Sequence, residues 1–158
     1  MYSALLHQYH LVLSARGALF DYCETIKTEH MLTRLPSFNN ESMVTQLMHV
    51  ANCYLFWLAK SVMQHQRPYF KEEEHSDLIS VCNAYRQVDL LVNEFLQNFK
   101  DSLEQQRVIT RPDGNTLKRS PFEIFTHVIT HEFHHKGQVI NMSRQLGYIP
   151  VDTDVIRD

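Results

Sequence analysis

Residues 120–147 read SPFEIFTHVITHEFHHKGQVINMSRQLG, and both ends of a long helix are written into that stretch. Ser120 and Glu123 match a capping box, in which each side chain satisfies a backbone N–H that the first helical turn leaves unpaired. Pro121 takes the first helical position, where its missing N–H costs nothing. Gly147 suits the left-handed residue that ends a helix, and Pro150 bars its continuation.

Three more apolar-periodic segments precede this one. The first runs from about Tyr2 to Thr28, with Leu6, Leu13 and Phe20 seven apart. The polar stretch MLTRLPSFNNES contains Pro36 and two capping candidates, Asn39 and Asn40. The second segment continues to about Gln66 and spaces Val44, Leu47, Ala51, Leu55, Leu58 and Val62 at intervals of three and four. Arg67-Pro68 and KEEEHSD interrupt the pattern, the latter as a solvated loop or first helical turn. The third helix starts near Asp77 and carries Leu78, Val81, Tyr85, Val88, Val92, Phe95 and Phe99 on one stripe.

Only EQQRVITRPDGNTLKR does not read as helix. Its β-prone runs VIT and TLK flank Pro112-Asp113-Gly114, a turn signal. With four glycines and five prolines in 158 residues, long regular elements are favoured over a many-stranded fold. These features predict an all-α four-helix bundle with a short β-hairpin or irregular insert before the fourth helix. One domain over 1–158 is expected, with the tail VDTDVIRD as a polar surface extension.

A formal charge of −3 gives no electrostatic reason to expect nucleic-acid binding. The N-terminal stretch lacks the basic and apolar regions of a signal peptide, and no run is long enough to span a membrane. Three cysteines, Cys23, Cys53 and Cys82, are scattered singly within helical segments. They read as buried free thiols, which suit a reducing cytoplasm.

Four of the ten histidines fall between His127 and His135. His131, Glu132 and His135 match H-E-x-x-H, the string in which zinc proteases hold metal with two histidines and use the glutamate as general base. Turned at 100° per residue, Val128, Val139, Met142 and Leu146 define the core face, with His135 at its centre and His131 at its edge. His127 and His134 rotate outward. Two inward imidazoles on adjacent turns repel if protonated and need ring-nitrogen partners if neutral; a shared metal removes both problems. Gly137, a glycine inside a helix, points to ligand access or to close helix packing.

The rest of a zinc protease is missing. Gln138 and Asn141 stand where the extended motif asks for glycine and a third histidine, and no histidine or glutamate follows His135. A third ligand must come from another helix. His49 is the only histidine in the middle of a strongly apolar segment, although it lies off the Val44–Val62 stripe with Asn52, Phe56 and Met63. His7, His10, His30, His65 and His75 lie near segment ends or in polar surroundings.

The stretch HVITHEFHHKGQVINMSRQLGYIP followed by VDTD resembles the signature of the DinB/YfiT-like superfamily, bacterial four-helix bundles with an H-x-x-x-H-[KR]-G-Q element. MHVANCYLFWL is similar to that superfamily's second-helix element, a histidine followed two turns later by an aromatic residue, here His49 and Trp57. The resemblance covers nearly the whole chain. It implies a divalent metal, nickel or zinc, held by His49, His131 and His135, and a homodimer. It also implies a small-molecule thiol and an electrophile as substrates, since some such proteins are thiol S-transferases or isomerases.

Three neutral imidazoles leave coordination positions open, which suits catalysis. A metal there can deprotonate a bound thiol for attack on an electrophile. The alternatives are a metal-dependent hydrolase, or a non-catalytic, stress-induced bundle that its metal stabilises. Tyr54, Asn52 and Gln138 lie near enough in sequence to line such a site.

Overall fold

The computed structural model describes residues 1–111 and 113–157. Four long helices carry the fold: α1 (Tyr2–Glu24), α3 (Met43–Tyr54), α4 (Leu78–Phe99) and α5 (Pro121–Gln145). A one-turn helix, α2 (Thr28–Met31), follows α1, and α3 runs on as a π-helical segment, Leu55–Met63. Strands β1 (Arg107–Thr110) and β2 (Thr116–Arg119) form an antiparallel hairpin, with Ile109 opposite Leu117. Ile109 is buried and joins the bundle core. The expected hairpin insert is therefore present; Pro112 lies outside the described residues.

Both ends of α5 follow the sequence. Ser120 Oγ accepts from the Glu123 N–H and Glu123 Oε2 accepts from the Ser120 N–H at 2.7 Å. At the far end Gly147 has φ +88°. The Gly147 N–H donates to Arg144 O and the Tyr148 N–H to Ser143 O, the two bonds of a Schellman motif. The start of α3 differs from expectation. Its cap is Ser42, paired with Thr45 in a second capping box, whereas Asn39 and Asn40 take left-handed backbone angles in the preceding turn. Asn tolerates those angles better than most residues, which is why both uses look alike in sequence.

The α3 and α4 stripes are buried as expected, with Val62 and Leu78 only partly covered. On α1 the seven-residue repeat is right but shifted by one: Leu5, Val12 and Leu19 are buried, while Leu6, Leu13 and Phe20 pack at its flank. The shift brings Arg16 into the core, 5% exposed. The tail is not a free surface extension. Thr153 is buried, its carbonyl accepts from Lys136 Nζ at 2.6 Å, and Arg157 donates to Ser14 on α1. No helix among the described residues is long and apolar enough to cross a membrane.

Candidate metal site

Helices α3 and α5 lie side by side and present two facing ladders. His49, Cys53 and Trp57 stand at four-residue steps on one; His127, His131 and His135 stand at the same steps on the other. Four residues advance a helix by about one turn, so each ladder is a row on one face. The rows run antiparallel. Trp57 meets His127 at a ring-centroid distance of 5.2 Å, and His49 meets both His131 (5.1 Å) and His135 (4.7 Å).

One ligand atom from each of His49, His131 and His135 lies within 4.8 Å of the other two, so the three could hold a metal ion. His49 Nε2 and His131 Nε2 face each other at 3.1 Å. Bonds of 2.0–2.1 Å to a tetrahedral zinc would put two ligand nitrogens about 3.3 Å apart. The His49–His131 pair therefore already stands at the separation such an ion asks of two ligands.

His135 is oriented by a chain of side chains. Its Nδ1–H donates to Gln46 Oε1, and Gln46 Nε2 donates to Glu41 Oε2. This arrangement leaves His135 Nε2 with its lone pair free. Gln46 is buried one turn before His49, and sequence gave no signal for it beyond a polar residue in an apolar run. Gln46→Ala is expected to weaken metal binding roughly 10- to 100-fold while all three histidines remain. A competition titration with a chromophoric chelator reads this directly.

Burial, then the neighbouring histidines, pushes the His131 and His135 imidazoles down to about 4. Both are neutral near pH 7 and need lose no proton to bind a cation. The cluster nevertheless sits at the rim of the bundle. His131 and His135 are half-buried and His49 is exposed, so the expectation of His135 at the centre of the core face is corrected. His127 and His134 are exposed as expected.

The interior position belongs to Glu132. Arg16 clasps it with two bonds, Nε to Oε1 at 2.7 Å and Nη2 to Oε2 at 2.9 Å, and Tyr54 donates its hydroxyl to Oε2 at 2.6 Å. Arg16 also donates to Asp89 Oδ1, as does Tyr9 at 2.7 Å. Burial, reinforced by the Glu132 charge, holds the Tyr54 phenol well above its ordinary range, so it stays protonated and donates. Glu132 thus ties α5 to α1 and α3, and its place in the H-E-x-x-H string is structural. Hydropathy patterns miss such a network because charged residues register as surface.

The other residues near the motif divide. Tyr54 is fully buried against Glu132, and Asn52 bonds both the N–H and C=O of Phe70 to pin the loop after the π-helical segment. Neither lines the cluster. Gln138 does lie beside it: Nε2 contacts His134 Nε2 at 3.0 Å, and Oε1 is buried without a hydrogen-bond partner among the described residues. A Cβ on Gly137 would meet nothing within 4 Å, which removes close packing as its reason.

The model of the DinB family matches residues 1–158. The chain belongs to the DinB family. It is 35% identical over 60 residues to Protein DinB of Bacillus subtilis (strain 168), a match covering 38% of this chain and 34% of that protein. It is 23% identical over 142 residues to the uncharacterized protein YizA of the same organism, covering 89% of this chain and 87% of YizA. The first match thus spans about a third of that relative, and the second nearly the whole of both chains. The chain is thus a DinB-family protein whose structure contains a histidine cluster able to hold a metal.

Proposed function

We propose that His49, His131 and His135 bind a divalent metal, nickel or zinc, and that this DinB-family protein uses it to transfer a low-molecular-weight thiol to an electrophile. The observation that carries the reading is the convergence of three ring nitrogens from two helices at an open rim. A closed structural site has four protein ligands and no access, whereas three leave a position for a substrate. Imidazole donors suit zinc and nickel alike.

When bound, such a cation lowers the pKa of a thiol that reaches it, as it does for water. The chain's own groups do the rest. His131 and His135 offer neutral nitrogens, Gln46 and Glu41 fix the ring of His135, and exposed His49 keeps one side of the site open to solvent. Glu132 takes no part in proton transfer, because Arg16 and Tyr54 occupy both of its oxygens. A homodimer in a cytoplasmic setting belongs to the same proposal.

The test is conjugation of glutathione, bacillithiol or mycothiol to a fluorogenic electrophile, with protein stripped of metal and then reloaded with nickel or zinc. Metal-dependent conjugation abolished by His49→Ala supports the reading. Thiol-independent ester cleavage by the reloaded protein overturns it in favour of hydrolysis. Metal that raises thermal stability without either activity reduces the site to a structural one.

A further inference from the structure

The two facing ladders are longer than the three-histidine site. One turn along α3 from His49, toward Trp57, stands Cys53, and one turn along α5 from His131 stands His127. A ligand atom from each of Cys53, His127 and His131 lies within 4.8 Å of the other two. The histidine rows place this second set beside the first, with His131 common to both. The rings of His127 and His131 stack at 5.7 Å, and Trp57 packs edge-on against His127 from the opposite helix.

We propose that Cys53, His127 and His131 form a second metal position, specific for soft and borderline cations such as zinc, cadmium or copper(I). A thiolate selects such ions over hard ones, and one sulfur with two imidazoles is a donor set they accept. As the metal–sulfur bond forms, the Cys53 thiol gives its proton to solvent, and the two imidazoles donate lone pairs without changing oxidation state. The bland role for a partly buried cysteine is to fill space as a small hydrophobe. That role does not account for two imidazole donors of the opposite helix within 4.8 Å of its sulfur.

The position does not require the three-histidine reading. His131 belongs to both donor sets. A soft ion therefore has two adjacent seats that share His131. The sulfur-containing seat favours the softer ion.

Cobalt(II) is the probe, because only a sulfur ligand gives it a strong near-ultraviolet charge-transfer band. The variant His49→Ala/His135→Ala removes two donors of the three-histidine set and leaves Cys53, His127 and His131 intact. Cobalt added to this variant is expected to produce the sulfur band, and the further change Cys53→Ser to abolish it. A folded double variant that binds cobalt without the band, or binds none, overturns the proposal. In the wild type, cadmium at ten times its dissociation constant should slow alkylation of Cys53 about tenfold by mass action. Peptide mapping separates Cys53 from Cys82, which should react at an unchanged rate. Equal Cys53 alkylation with and without cadmium overturns the proposal even if the double variant fails to fold. The three-histidine site has a separate readout, since its failure would show as nickel or zinc affinity indifferent to His135→Ala.

Discussion

Glu132→Ala is expected to lower the melting temperature sharply and to leave the histidine cluster chemically intact. The substitution strands Arg16, 5% exposed, with Asp89 left to face its charge. It also leaves the Tyr54 hydroxyl without its acceptor in a fully buried site. Breaking a buried pair by removing one partner costs about 3–5 kcal/mol. For a chain of this size each kcal/mol is about 2–4 °C, so a fall of roughly 6–20 °C follows. Residual pairing with Asp89 places the result toward the lower end. Circular dichroism melts of metal-free protein measure it. A general base would behave in the opposite way, with an unchanged melt and lost turnover, and that outcome would return Glu132 to the chemistry.

His49→Ala is expected to do the reverse. His49 is exposed and lies outside the hydrophobic core, so the metal-free protein should keep its stability within about 0.5 kcal/mol. Nickel affinity should fall by more than about 100-fold, because altering an outer partner of a ligand alone costs 10- to 100-fold. The asymmetry follows from the two roles: Glu132 supports the packing and His49 only the rim. Affinity unchanged in His49→Ala would show that the α5 histidines bind without help from α3.

The bundle was legible because its signals are local. The capping box at Ser120, the terminator at Gly147 and the stripes of α3 and α4 each need only a few neighbouring residues to be recognised. The offset on α1 was not legible. Leu5 and Leu6 are adjacent leucines, and what decides between their rows is Arg16, whose partners Glu132 and Asp89 are 116 and 73 residues away. A charge buried by distant partners cannot be told from a surface charge until the helices are assembled.

The structure brings together the three histidines that the sequence singles out, at a shallower depth than the helical pattern implies. Helical spacing puts His135 at the centre of the core face and His131 at its edge, and sets His49 off its own helix's stripe. Those two observations are reconciled at the groove between α3 and α5, where a residue off the stripe of one helix meets residues at the edge of the other. Gln46 and Cys53 were missed as parts of the groove because each looks ordinary in its own segment. Only the antiparallel alignment of the ladders brings them beside His135 and His127.

Elemental analysis of untagged protein, wild type beside His131→Ala, decides whether the groove holds a metal. His131 belongs to both donor sets, so its loss should empty the groove whichever ion is present. Near-stoichiometric divalent metal is expected in the wild type and almost none in a still-helical variant. Wild-type protein without metal even after reconstitution, or metal fully retained by His131→Ala, would contradict that expectation.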